Sequence, residues 1–397
     1  MNSSLFSKIF LALPVILVLS NYQQPVRAAD AKRLNLPLHN QNRSLQNEVQ
    51  HAIDRGLAWL QTKQDAKGFW STPDHPAMTA LVLTALMGDP SGRMRAEETE
   101  SVRKGFDFLV GCAKPDGGIY QKGLLNYNTS VSMMALLAAN KPQYDALLRK
   151  ARRFVIEHQG DFNEKGKEDS PFDGGIGYGD KHPHSDMSNT LFALEALYYS
   201  KHLKQGQELS EARDLNWPAV VGFIQRCQNL PAFNKESWAS DDPQNKGGFI
   251  YYPGHSMADE MKLPSGRTAL RSYGSMSYAG LLSYVYADLK RDDPRVTAVF
   301  DWLRGNFTLE ENPGMGAQGL YYYFQAMARA LSAYDVDELP LSDGRKIRWR
   351  NDLALKLINL QHSEGFWVND NGRWWEKDPN LVTAYSVIAL EIVYRGL

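Results

Sequence analysis

Two cysteines in 397 residues are too few for a disulfide framework. Charge of one sign is also missing: 44 basic residues face 45 acidic ones, for a net charge of −1. That balance leaves no electrostatic footprint for nucleic acid. The apolar run Ile9–Leu19 is about 11 residues long, short of the roughly 20 that cross a bilayer. Present in quantity is core material. With 43% hydrophobic and 22% charged residues, the composition excludes a disordered chain and suits a large globular domain.

The apolar run has Lys8 ahead of it and Val26-Arg27-Ala28 behind it. This is the pattern of a cleaved leader, against the alternative of a retained anchor. It predicts a signal peptide over 1–28, a flexible segment over 29–44 and a single domain over 45–397. The expected location is secreted or periplasmic, with no stable membrane anchor after cleavage.

The chain repeats itself, and repeats decide fold class before anything else does. Trp59-Leu60 is followed by Gln64, Phe154-Val155 by Gln159, Phe223-Ile224 by Gln228, and Lys356-Leu357 by Gln361. Phe108-Leu109 and Trp302-Leu303 keep the front of the pattern, with Ala113 and Phe307 where the glutamine would stand. Each copy runs into a glycine-aromatic turn, such as GFW at 68–70, GGIGY at 174–178 and GGFIYY at 247–252. A more apolar helical run then follows, as in MTALVLTALM or LVTAYSVIALEIVY. A helix apolar on most sides is a buried helix. Six helix–turn–helix units are therefore expected, with half-exposed first helices outside and buried second helices inside. The last unit ends without a polar cap, so the units should close into an all-α, α6/α6 toroid and not stack as an open solenoid. Gln64 should hydrogen-bond backbone groups left open at the end of its helix and in the turn, with Trp59 and Leu60 facing inward and Trp70 over the joint.

The string Arg55-Gly56-xx-Trp59-Leu60-xxx-Gln64-xxx-Gly68-x-Trp70 resembles the QW motif of the terpenoid cyclase and protein prenyltransferase superfamily. Lys104-Gly105-xx-Phe108-Leu109 and Gly365-Phe366-Trp367 match it in part, so the resemblance runs over about residues 45–397. It implies a prenyltransferase/squalene oxidase repeat protein built as a six-hairpin toroid, with an isoprenoid-type ligand. Two signatures of that superfamily are not found. The string nearest to a DxDD acid is Asp335-Val336-Asp337-Glu338, which follows the fifth inner helix and reads as a solvated connector. Cys112 and Cys227 occupy one register of the second and fourth outer helices without a histidine at i+4. They should be buried free thiols, not zinc ligands or a disulfide.

Candidate site residues come from the segments that lead into the inner helices. His182, His184 and Asp186 could hold a metal, although Asp186 could equally cap a helix; no cofactor is predicted. Asp186, Asp378 and Arg271 are the candidate catalytic groups, with Asp173 as a further carboxylate. Asp378-Pro379 also reads as a cap followed by proline at the first helical position. Tyr321, Tyr322 and Tyr323 are consecutive, and residues about 100° apart cannot share one interface, so at least one should face the central hole. Tyr273, Tyr278 and Tyr385, with Trp374-Trp375 nearby, would make the cavity aromatic. Such a cavity suits a lipophilic or a carbohydrate ligand. The competing functions are a superfamily-like enzyme or isoprenoid binder, a lyase or glycosidase on a helical toroid, and a non-catalytic scaffold outside the cytoplasm.

Overall fold

A computed structural model describes residues 42–179, 184–204, 214–263 and 266–397. The leader over 1–28, the segment that follows it up to residue 41, and His182 lie outside the described residues. All of the fold described below belongs to the unit Gln41–Leu397.

Six hairpins alternate outer and inner helices. The outer ones are α1 (Arg43–Thr62), α3 (Glu100–Gly111), α5 (Asp145–Glu157), α7 (Trp217–Arg226), α9 (Pro294–Gly305) and α11 (Trp349–Leu360). The inner ones are α2 (Pro76–Gly88), α4 (Leu125–Ala139), α6 (Met187–Tyr199), α8 (Gly274–Tyr286), α10 (Leu320–Ala333) and α12 (Pro379–Tyr394). The inner helix α2 is buried over nearly its whole length, whereas the outer α5 buries only the stripe Leu148, Ala151, Arg152, Phe154 and Val155. Each inner helix packs on the next, and α12 returns to pack on α2 and α1. The ring is closed. No described helix is long and apolar enough to cross a membrane. Two antiparallel hairpins, β1 (Glu260–Lys262) with β2 (Thr268–Leu270) and β3 (Leu339–Pro340) with β4 (Lys346–Ile347), add short strands that helical periodicity does not announce.

The motif glutamines join neighbouring hairpins. Gln64 Nε2 donates to Gly68 O at 2.9 Å in its own turn and to Ser101 O at 2.8 Å on α3. Gln159 does the same to Gly174 O and Asn216 O, and Gln228 to Gly247 O and Arg295 O. Gln361 completes the circle, donating to Gly365 O at 2.8 Å and Ala52 O at 2.9 Å on α1. The second partner in each case belongs to the following hairpin, which the local reading of Gln64 does not reach. Trp70 is fully buried over the joint, with its Nε1 donating to Leu60 O at 2.7 Å, and Trp367 repeats this on Leu357 O. Trp59 is buried in the core with Leu60, and its ring stacks on Phe366 of the last hairpin, with centroids 5.0 Å apart. Gly68 and Gly365 sit at φ of 93° and 102°. At Gly365 a Cβ would come within 2.7 Å of Arg55 O, so the turn can lie against the next outer helix only without a side chain.

The seam between hairpins six and one is as well bonded as the others. Arg55 Nη2 donates to His362 O at 2.8 Å and Ser363 O at 2.7 Å, and at the opposite end Arg395 Nη2 donates to Gly88 O at 2.6 Å. Gln361→Leu would leave the Ala52 and Gly365 carbonyls without their side-chain donor. It is expected to lower the unfolding free energy, read by urea titration, by about 1–3 kcal/mol; an unchanged midpoint would remove the glutamine from the closure.

Candidate functional site: an aromatic cavity at the inner-helix N-termini

The first turns of all six inner helices surround one cavity of about 210 Å³. Met78 comes from α2, Tyr127 from α4, Ser188 and Phe192 from α6, Met276 from α8, Tyr322 from α10 and Tyr385 from α12. The turns supply His75, Tyr178, Tyr251, Tyr273 and the segment Trp374-Trp375-Glu376. Trp374 and Trp375 are 42% and 50% exposed, which places the mouth beside them. The floor is a layer of rings. Tyr127 meets Phe192 at 5.2 Å, Phe192 meets Tyr322 at 6.2 Å, and Tyr322 meets Tyr385 at 6.0 Å between centroids.

Helix N-termini carry unpaired N–H groups and partial positive charge. Here the neighbouring hairpin supplies an acceptor to the first turn of five of the six. Ala77 N on α2 donates to Asn128 Oδ1 at 3.1 Å, Asn126 N on α4 to Tyr178 O at 3.0 Å, and Met187 N on α6 to Tyr251 O at 2.9 Å. Ser275 N on α8 donates to Asn312 Oδ1 at 2.9 Å, and Tyr322 N on α10 to Glu376 Oε1 at 2.8 Å. Glu376 is almost wholly buried, and its Oε2 also accepts from Asn369 Nδ2 at 2.6 Å. Burial holds its carboxyl above the usual carboxylate range, against the opposing pull of these bonds. The backbone pays for this placement, with Trp374 and Trp375 at φ of 54° and 69°, left-handed values that tryptophan rarely takes.

Asp186 has no solvent exposure. Its Oδ1 accepts from Asn189 N at 2.9 Å and its Oδ2 from Asn189 Nδ2 at 2.7 Å, so it is the N-cap of α6. Desolvation raises its pKa to about 6, with the bonds from Asn189 and the Tyr251 hydroxyl pulling the other way. Tyr251 in turn pairs with Tyr178, and both line the cavity, so a buried acid stands one hydroxyl behind the wall.

The remaining candidates divide. Tyr273, Tyr322 and Tyr385 line the cavity. Tyr278 and Tyr323 are packed on each other in the core, with centroids 5.6 Å apart, and the Tyr323 hydroxyl donates to Thr308 O. Tyr321 is buried against Phe324. The three consecutive tyrosines thus point three ways, and only the middle one reaches the hole. Arg271 is exposed at a separate cleft with Asp301 and Trp302. Asp378 caps α12 through Asn380 N at 2.9 Å. Asp173 accepts from the amides of Phe162, Asp169 and Ser170, which fixes the 161–173 loop. His184 lies against Tyr252 at 4.3 Å and Phe172 at 5.9 Å, and no group of three or more metal-ligating side chains occurs among the described residues. Cys112 and Cys227 are both buried and free. Asp337 pairs with Arg350 at 2.9 Å at the opposite end of α10, away from the cavity.

His75, Tyr127, Tyr178, Tyr251 and Glu376 are among the lining residues that sequence reasoning missed. Tyr178 and Tyr251 each stand four residues after the left-handed glycine of their turn, Gly174 and Gly247. That shared register was the available signal.

No protein-family model matches the chain, and no curated protein matches its sequence. Solved structures do match its shape. A variant of the type II terpene cyclase MstE from Scytonema superposes with a TM-score of 0.54 at 13% identity, covering 89% of this chain and 99% of that one. Another MstE variant, in complex with geranylgeranyl dihydroxybenzoate as substrate, gives 0.52 at 14% identity over 89% and 99%. An inactive variant of the α-1,6-mannanase GH76A of Salegentibacter sp. HEL1_6, with α-1,6-mannotriose, gives 0.53 at 12% identity over 88% and 100%. The shared property is the α/α toroid. At this identity the likeness concerns fold alone.

The raised pKa of Asp186 sets a sign for stability against pH. The native state holds this proton more tightly than the unfolded chain, whose aspartate titrates near 3.9. The associated stability is complete below about pH 4 and is lost as pH rises to about 6. Asn is an equally good N-cap, so Asp186→Asn should gain about 2–3 kcal/mol on the wild type across that window and then hold level. A wild-type-minus-variant difference flat from pH 4 to 7 in urea titrations would contradict the assignment.

Proposed function

We propose that this toroid takes an isoprenoid-type hydrophobic group into the cavity at its inner-helix N-termini, and that it works outside the cytoplasm. The observation that carries the reading is the lining, which is mostly tyrosine, tryptophan, phenylalanine, methionine and leucine, with His75, Ser188 and Ser275, around a single carboxylate, Glu376, already engaged in capping α10. Cavities of about 150 Å³ with apolar walls hold a benzene ring. At about 210 Å³ this one accepts the end of a branched hydrocarbon chain, whose remainder would leave through the mouth at Trp374 and Trp375.

The chemistry of the lining weighs against the other classes. Glycoside hydrolysis needs two carboxyl groups facing one bond, and the lining offers one. A diphosphate needs cations, and among the described residues no lysine or arginine lines the cavity. Support for the location is the leader pattern of Lys8, Ile9–Leu19 and Val26-Arg27-Ala28.

Protein recovered from an exported fraction should begin at Ala29; retention of residues 1–28 would count against export. Titrated with geraniol, it is expected to show saturable quenching of tryptophan emission, since Trp374 and Trp375 stand at the mouth. Ser188→Phe, which fills the cavity from α6, should weaken this binding at least tenfold while the circular dichroism stays native. Mannotriose should leave the signal unchanged. Saturable binding of the sugar with none of geraniol would overturn the proposal in favour of a carbohydrate site.

A further inference from the structure

We infer that the same cavity also holds a permanent positive charge: a trimethylammonium-type organic cation set among the aromatic rings. The inference goes beyond the hydrophobic-group reading above and rests on the same open cavity.

Electron-rich ring faces attract cations, most strongly where water is excluded, and methylated ammonium groups are the ligands such cages suit. Here rings come from every side. Tyr127, Tyr322 and Tyr385 rise from the inner helices, Tyr273 stands in the wall, and Trp374 and Trp375 roof the mouth. Their phenols stay neutral, because burial pushes the tyrosine hydroxyls up. His75, stacked edge-on against Trp375 at 5.3 Å, is pushed down by burial and so is an uncharged imidazole at neutral pH.

The balance of fixed charge also admits a cation. The six inner-helix N-termini would make the site positive. Three of them hold a carboxylate, Asp186 on α6, Glu376 on α10 and Asp378 on α12. Asn128 and Asn312 oxygens cap two others. Arg329 lies two turns along α10 from Tyr322, beneath the floor, and it is neutralised by Glu195 at 2.6 Å, which also accepts from the Tyr286 hydroxyl at 3.1 Å. Nothing cationic among the described lining residues competes with the ligand. An anionic ligand would meet Glu376 and the ring faces and no partner.

Shape and charge separate in a matched pair. Choline and 3,3-dimethylbutan-1-ol have the same outline, with a quaternary nitrogen in one and a quaternary carbon in the other. Isothermal titration of the mature full chain is expected to give choline at least tenfold tighter binding than the alcohol, within the roughly 2- to 30-fold that one desolvated cation–ring contact supplies. In Trp375→Leu, where the lost ring is half exposed, the choline-to-alcohol ratio should fall at least threefold. In Glu376→Gln, which keeps an oxygen for the Tyr322 amide, the ratio should fall toward unity. Alcohol binding as tight as choline, or tighter, would overturn the inference and leave the apolar-cavity reading standing. Binding of neither probe, with geraniol also silent, would remove both.

Discussion

Neighbouring hairpins in this protein satisfy one another's backbone polar groups, and the rest of the structure depends on that constraint. On the outer side the glutamine at the end of an outer helix reaches forward to a carbonyl on the next one, from Gln64 to Ser101 and finally from Gln361 back to Ala52. On the inner side the N–H groups that open the first five inner helices find acceptors supplied from further along the chain, Asn128, Tyr178, Tyr251, Asn312 and Glu376, whereas α12 is capped by its own Asp378. A buried unpaired carbonyl or amide costs about 1–3 kcal/mol. An open array would leave Gln361 without its second acceptor, and closure places Ala52 O of hairpin one there instead. The ring is thus a consequence of hydrogen-bond accounting as much as of apolar burial.

The same constraint makes the cavity. Inner helices that begin at one level must have their caps at that level, so the capping residues and the turn aromatics converge on the axis. Two of the carboxylates that lie there, Asp186 and Glu376, are held by backbone amides and raised in pKa by burial. The rings fill the space between caps but leave about 210 Å³ free. The left-handed backbone at Trp374 and Trp375 holds both the Glu376 cap and the mouth aromatics in position, and the lining residue Leu124 takes a left-handed φ of 50° at the start of α4.

How much of this the sequence disclosed follows from the range of the interactions. The hairpins were legible because alternation of a striped helix with an apolar one is a local pattern, and the glycine-aromatic turns mark every joint. That at least one of Tyr321, Tyr322 and Tyr323 faces the hole could be foreseen because helical geometry forbids three adjacent tyrosines from sharing an interface, but which one could not. The forward partner of each glutamine was not legible, since Ser101 or Ala52 contributes a backbone oxygen that leaves no mark in side-chain identity. Trp59 illustrates the same limit, because its stacking partner Phe366 lies some 300 residues away. Glu376 was hidden behind the two tryptophans that precede it, and Tyr278 and Tyr323 were misplaced because each turns toward the other in the core.

The central claim is that the seam between the last and first hairpins equals the other five. Amide hydrogen exchange measures it directly, since a linear array frays from its ends and a ring has none. Closure predicts that α2 and α12, at the seam, are protected to the same degree as α6 and α8 on the far side. Distinctly faster exchange in α2 and α12, with protection rising toward the middle of the chain, would contradict it.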